Sequence, residues 1–321
     1  MNKVMNMTDA IKTYVRDNAL ISFGGFSATQ CPMAAVHEII RQGIKDLHVA
    51  ACSNGQAVDE LVGAGCVKSL EIAYGGNGRF APTCFKIREK GEKGELKIED
   101  YSNLQMSMRF LAGSLGIPFI PTYSTLGTDI MNKQMFSKEE RKTNKNLSNE
   151  KFVVMQNPFN EDLEDKVVLV PAIQPDVTII HAQKADPCGN TRIEGLVYAD
   201  IEQAKASKAL IVTCEELVDS ALLRDDPAGN QIVSFQVNAV VHVPYGAYPC
   251  AVINYYDYDP WFLMQLYKTA AKDETEWKKY MDKYILGVKN REEFLALIGR
   301  ERLETVKADK KYGFNPKLNR R

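Results

Sequence analysis

"ISFGGFSATQCPMAAVHEIIRQGIKDLHVAAC" runs from Ile21 to Cys52. A short apolar run breaks at Gly24-Gly25, a polar turn follows, and Pro32 opens an amphipathic stretch. A second apolar run, Leu47 to Cys52, comes next. Strand, bare loop, helix and strand in so little chain is the start of a parallel βαβ arrangement. Working outward, apolar runs keep alternating with helical patterns. Strands are predicted at Leu20–Phe23, Leu47–Ala51, Ser69–Ala73, Lys97–Glu99, Val167–Val170, Val177–Ala182, Ala209–Thr213 and Ala239–Val243. Helices are predicted at Asp9–Val15, Pro32–Gln42, Asn103–Ser114, Ile201–Ala206 and Asp259–Ala271. This order predicts an α/β fold: a doubly wound, open, mainly parallel sheet with helices on both faces.

Composition narrows the function. The chain has 321 residues, 45% of them apolar and 25% charged, which supports a sizeable core. A net charge of −1, with no basic block before the terminal "KLNRR", argues against nucleic acid as a partner. No apolar run approaches the roughly 20 residues of a membrane helix. The N-terminus reads as a capped amphipathic helix and not as a secretory signal. Seven scattered cysteines show no CxxC pair and no zinc spacing, so they are expected to be reduced core thiols of a cytoplasmic protein, and no metal is expected. The chain is expected to form one domain over 1–321. A charged, exposed excursion interrupts it near 132–149, and a covering segment closes it near 280–321.

Glycine pairs let backbone N–H groups approach a ligand, and a following helix start favours an anion. Gly24, Gly25 and Phe26 are therefore candidate backbone donors to an anionic group or an oxyanion, with Ser27, Thr29 and Gln30 as polar side chains beside them. Taken alone, such a loop is more often a tight strand-to-helix turn than a binding site. It is not GxGxxG, and no GxxxxGK[ST] is present, so neither a dinucleotide nor a triphosphate signature is met. The next two strands end in "CSNG" and "YGGNG", offering Asn54, Gly55, Gly76 and Asn77. In an open parallel sheet, loops at the carboxyl ends of strands line the ligand crevice. "TYSTLGTDI", 122–130, is a fourth loop expected at that edge. His181 is read at the end of its strand, as an acid/base or as a partner for a neighbouring loop. Glu215 and Glu216 are read just past another strand end, as acids of a helix start. No Ser-His-Asp order and no GxSxG supports a hydrolase triad.

"GGF", "SNG", "YGGN", "GELKIEDYS", "LGIPFIPTYSTLGTD", "DVTIIHAQKADPCGN" and "VTCEEL", in this order from about Thr8 to about Thr305, resemble the A subunit of the class I CoA-transferases, most of all the glutaconate branch. The resemblance implies a CoA-transferase-like fold and a B subunit of similar fold, commonly in an A2B2 assembly that exchanges CoA with small mono- or dicarboxylates. It also implies an active site at the interface, and a glutamate of the B subunit that forms a mixed anhydride and then a glutamyl-CoA thioester. In the family the glutamate stands in a Glu-Asn-Gly context, where this chain has Ser53-Asn54-Gly55. The nucleophile is thus expected on the partner. Coenzyme A enters as a thioester substrate, with no permanently bound cofactor. After "GGF" the ketoacid branch has further glycines, whereas this chain reads "SATQC".

Two other readings stay open: a CoA-dependent hydrolase or ring-cleaving relative, and a non-catalytic module binding a sugar phosphate or other effector. The hydrolase reading calls for a water-activating carboxylate near Tyr74–Arg79, and "YGGNGR" has none. Glu60, in an apparent helix, and Glu71, within a strand pattern, are the nearest acids. If buried without partners, each would have a raised pKa and be a poor nucleophile.

Overall fold

The computed structural model describes residues 1–320. In chain order its strands are β1 (Leu20–Phe23), β2 (Leu47–Ser53), β3 (Val67–Tyr74), β4 (Lys97–Asp100), β5 (Phe119–Thr122), β6 (Val153–Gln156), β7 (Lys166–Pro171), β8 (Val177–Ala185), β9 (Thr191–Arg192), β10 (Ala209–Leu217) and β11 (Ala239–His242). Its first seven α-helices are α1 (Met7–Tyr14), α2 (Met33–Arg41), α3 (Gln56–Gly63), α4 (Phe85–Glu92), α5 (Asn103–Leu115), α6 (Lys138–Thr143) and α7 (Asp200–Ala206). The main sheet runs β11-β10-β8-β1-β2-β3-β4 with parallel neighbours, and β9 pairs antiparallel on β8. Strand order therefore reverses between β1 and β8, and the carboxyl ends of these two strands frame the crevice in which doubly wound sheets bind ligands.

Alternation along the strands divides the core. Ile21, Phe23, Val49 and Ala51 pack with α2, α3 and the C-terminal helices, whereas Leu20, Ala50 and Cys52 pack with Met106 and Phe110 of α5. Helices on both faces bury both surfaces of the central strands, which is why β1 and β2 are wholly buried. The predicted Asp259–Ala271 helix is a π-helix, Phe262–Tyr267, continued by an α-turn, Lys268–Ala271.

Several boundaries differ from the sequence reading. Val167–Val170 is a strand, but it lies in a separate antiparallel sheet of order β5-β7-β6. The 122–130 loop therefore arrives from that second sheet. It still reaches the start of α5, where Gln105 Nε2 donates to Thr125 Oγ1 at 2.7 Å. β8 continues four residues past His181, and β10 includes Glu215 and Glu216, so none of the three stands at a strand end or helix start. In the charged stretch 132–149, Phe136, Arg141 and Leu147 turn inward, and Arg141 binds the Glu99 carboxylate. From the C-terminal segment, Tyr280, Ile285, Phe294 and Val306 enter the largest core cluster.

Candidate functional site

Three glycine-bearing loops meet at the carboxyl ends of β1, β2 and β3. Gly24 stands where a Cβ would lie 2.4 Å from Asp200 Oδ1, and Gly25 has φ +86 with a Cβ position 2.5 Å from Thr29 O. Ser27 and Gln30 also take positive φ, 57 and 55, a conformation that costs a non-glycine residue roughly 1 kcal/mol or more. Hydrogen bonds then tie loop to loop. Ser27 Oγ donates to Gly76 O at 2.8 Å, Gly55 N donates to Ser27 O at 3.3 Å, and Asn54 Nδ2 donates to Gly24 O at 3.3 Å. A Cβ on Gly55 would stand 2.0 Å from Asn77 Oδ1. Gly24, Gly25, Phe26, Ser27, Asn54, Gly55, Gly76 and Asn77 thus form one edge.

The amides of Gly24, Gly25, Phe26 and Ser27 are not free, which counts against the sequence reading of the first three as oxyanion donors and leaves them as candidates for contact with CoA. Gly24 N donates to Ile179 O, Phe26 N to Thr29 O and Ser27 N to Ser53 O, each at 2.9 Å. Gly25 N donates to Asp200 Oδ1 at 2.8 Å. A buried backbone donor must find an acceptor, and the amides of residues 24 to 27 have each found one inside the chain. What the loop leaves partly open is Gly25, Phe26, Ser27 and Thr29, all half-buried.

Two buried side-chain oxygens of the predicted set lack a partner: Gln30 Oε1 and Asn77 Oδ1. Gln30 Nε2 reaches Gln183 Oε1 on β8 at 3.4 Å. Asn77 Nδ2 donates to Gln56 Oε1 at 2.9 Å, and Gln56 Nε2 donates to Glu60 Oε1 at 2.7 Å. Glu60 is held further by Tyr280 OH at 2.9 Å and His37 Nε2 at 2.8 Å. Burial lowers the His37 pKa despite that carboxylate.

The four buried carboxylates around this edge, Asp59, Glu60, Glu71 and Asp200, are engaged. Burial alone would raise the Glu71 carboxyl, but Arg109 Nη1 at 3.0 Å and His48 Nε2 at 3.1 Å hold it well below the usual carboxylate range. Glu60 and Glu71 are therefore buried acids with partners. Asp59 accepts from Ile87 N at 2.7 Å and Tyr267 OH at 2.6 Å, and its burial pushes the carboxyl up to about 6. Asp200 is also raised by burial. Cys52, near the end of β2, is pushed up to about 12, again by burial, and is no nucleophile at neutral pH.

His181 lies elsewhere. Its Nδ1 pairs with Thr213 Oγ1 at 2.8 Å and its Nε2 with Glu215 Oε1 at 2.7 Å. Tyr256 OH donates to the same Glu215 oxygen, and Tyr245 N donates to the other at 2.7 Å. This buried cluster fixes the 245–247 turn, where a Cβ on Gly246 would meet the His181 ring at 2.6 Å. Sequence reasoning missed two contributors to the glycine edge. Asp200 heads α7 and looks like an ordinary first-turn acid. Tyr198 sets its ring edge-on to Phe26 at 5.1 Å. Among the described residues, no cluster of three or more His, Cys, Asp or Glu side chains is arranged to hold a metal, and no helix is long and apolar enough to cross a membrane.

Comparison with known proteins agrees with this architecture. The coenzyme A transferase family model matches residues 4–242. The A subunit of glutaconate CoA-transferase from Acidaminococcus fermentans is 38% identical, with 98% of each chain covered. The crystal structure of that organism's glutaconate coenzyme A-transferase superposes with a TM-score of 0.94 over 98% of both chains. The A subunit of 3-oxoadipate CoA-transferase from Pseudomonas knackmussii is 34% identical over 93% of this chain and 99% of its own. The chain belongs to the coenzyme A transferase family. Within that family it is an A-type subunit.

Proposed function

We propose that this chain works with a B subunit, as an A2B2 assembly in the cytoplasm, to move coenzyme A between small carboxylic acids of the glutaconate kind. The observation that carries this reading is the state of the carboxylates at the glycine edge. Glu60, Glu71, Asp59 and Asp200 are each held by donors inside the chain, and β2 ends in Ser53-Asn54-Gly55. A covalent mechanism needs a carboxylate free to attack, and the partner supplies it. The partner's glutamate adds to the acyl-CoA carbonyl and expels CoA thiolate, leaving a mixed anhydride. The thiolate then attacks the glutamyl carbonyl, releasing the first acid and forming the glutamyl-CoA thioester. A second carboxylate reverses these steps and leaves with the CoA.

The role of this chain is to wall the site. Phe26 and Ser27, half-buried, face acyl-CoA, and Gln30, Asn54, Gly55, Gly76 and Asn77 lie buried behind them, locking the loops so that little reorganisation accompanies the reaction. His181 serves the fold behind that wall. The described residues act as one domain, since the largest core cluster draws on residues from Ala10 to Val306. Co-expression with the chain encoded beside it, followed by a screen of carboxylates for exchange with acetyl-CoA, tests the reading. Exchange dependent on both chains is expected. Exchange by this chain alone, or thioester hydrolysis without an acceptor acid, would overturn it.

A further inference from the structure

We propose that the outer face of α5 is the surface on which the partner chain packs, through an apolar seam of its own; this rests on the two-chain reading above. The helix is apolar on two sides. Its inner side buries Met106 and Phe110 against the main sheet. Its outer side carries Leu104, Met108, Leu111 and Leu115, at successive spacings that place all four on one ridge. The three leucines are 52%, 37% and 62% exposed. Beyond the helix, Ile117 and Phe119 extend the ridge, 39% and 46% exposed.

Charge is missing where water should demand it. From Asn103 to Thr128 the only charged residue is Arg109, which is buried on Glu71, in a chain that is 25% charged overall. A helix whose outer face meets solvent places charges there. Interface cores, in contrast, are depleted of charge and enriched in such apolar side chains.

The occupant follows from where the ridge begins. The first turn of α5 is built into the glycine edge. Ser53 Oγ donates to Asn103 Oδ1 at 2.8 Å, and Ser107 Oγ donates to Tyr198 OH at 3.2 Å beside Phe26. A chain that brings a carboxylate to this edge meets the start of α5 there, and the uncharged ridge continues from that point along the helix. A second copy seated on the ridge would compete for that approach.

The test uses the co-expressed pair. Leu111→Lys with Leu115→Lys places two charges on the ridge, away from the edge. Recovery of the partner with the tagged chain should fall at least tenfold and exchange activity should fall with it, while the variant keeps the wild-type circular dichroism and melting profile. Should the variant misfold, footprinting of the unaltered protein decides: oxidation of Met108 by hydroxyl radicals should drop several-fold when the partner is bound. Undiminished partner recovery by a folded variant, or equal Met108 reactivity in the free and bound chain, would sink the proposal. So would a wild-type chain that sediments alone as a dimer, is split by the double variant, and still binds its partner. If the pair assembles through α5 yet exchanges no carboxylate, the surface stands and the functional reading fails.

Discussion

Asp59 shows how far one buried carboxyl can shape the stability of this protein. It lies in the first turn of α3, wholly buried, accepting from Ile87 N and Tyr267 OH. Burial still wins, raising its pKa to about 6. A raised carboxyl binds its proton more tightly in the native state, so its contribution to stability is full below the unfolded value near 4. That contribution is lost as pH climbs through about 6, worth about 3 kcal/mol in all. Asp59→Asn removes this titration while keeping the shape. We expect wild type to lose stability relative to this variant between pH 4 and 7, read from urea midpoints across that range. Parallel pH curves for the two proteins would show that Asp59 does not titrate in this way. At the same scale, local sequence has little access to the site's bonding. The glycines after β1 are conspicuous in the sequence, but the acceptor for the Gly25 amide is Asp200, 175 residues further on. Glu71 likewise looks like an isolated strand acid because Arg109 stands 38 residues away on α5.

At the scale of elements, the pair Glu71–Arg109 ties α5 to β3 beneath the glycine edge. Both side chains are almost wholly buried, and Tyr101 OH adds a further bond to Glu71 at 3.1 Å. Removing one partner of a buried pair leaves an uncompensated charge and costs about 3–5 kcal/mol. Arg109→Ala should therefore lower the urea unfolding free energy by that amount. Arg109→Ala together with Glu71→Gln should recover part of the loss, and no recovery would mean that packing of the long side chain dominates. The elements themselves are legible where signals are local. The run from β1 through α2 to β2 announces itself by apolar runs, a glycine break and a proline. Strand ends are less legible, because partners set them: β8 and β10 stay paired as far as Ala185 and Leu217, which draws His181 and Glu215 into the sheet. The second sheet is hidden for another reason. All four residues of β6 are exposed, so it has no buried face to leave a pattern, and it pairs only with β7.

At the scale of the whole molecule, the question is which chain takes the covalent bond. A glutamyl-CoA thioester is reduced by borohydride, so incubation of the assembled enzyme with acyl-CoA followed by reduction should mark the nucleophile permanently. The four buried acids around the glycine edge of this chain already have structural duties. Glu71 is bound to Arg109 and His48, and its strongly lowered pKa reflects a carboxylate whose lone pairs are occupied. Glu60 sits under Gln56, Tyr280 and His37, in a network that would have to open before it could attack. Asp59 keeps its proton up to about pH 6, which weakens it as a nucleophile below that point. Asp200 holds the loop itself through the Gly25 amide. Freeing any of these would cost a buried hydrogen-bonded network at each turnover, whereas a carboxylate arriving on the partner costs this chain nothing of its own structure. Peptide mapping of the reduced complex should therefore place the mark on a glutamate of the partner chain and leave all acids of this chain unmodified. A modified Glu60 or Glu71 would overturn the division of labour and require one of these networks to open during catalysis.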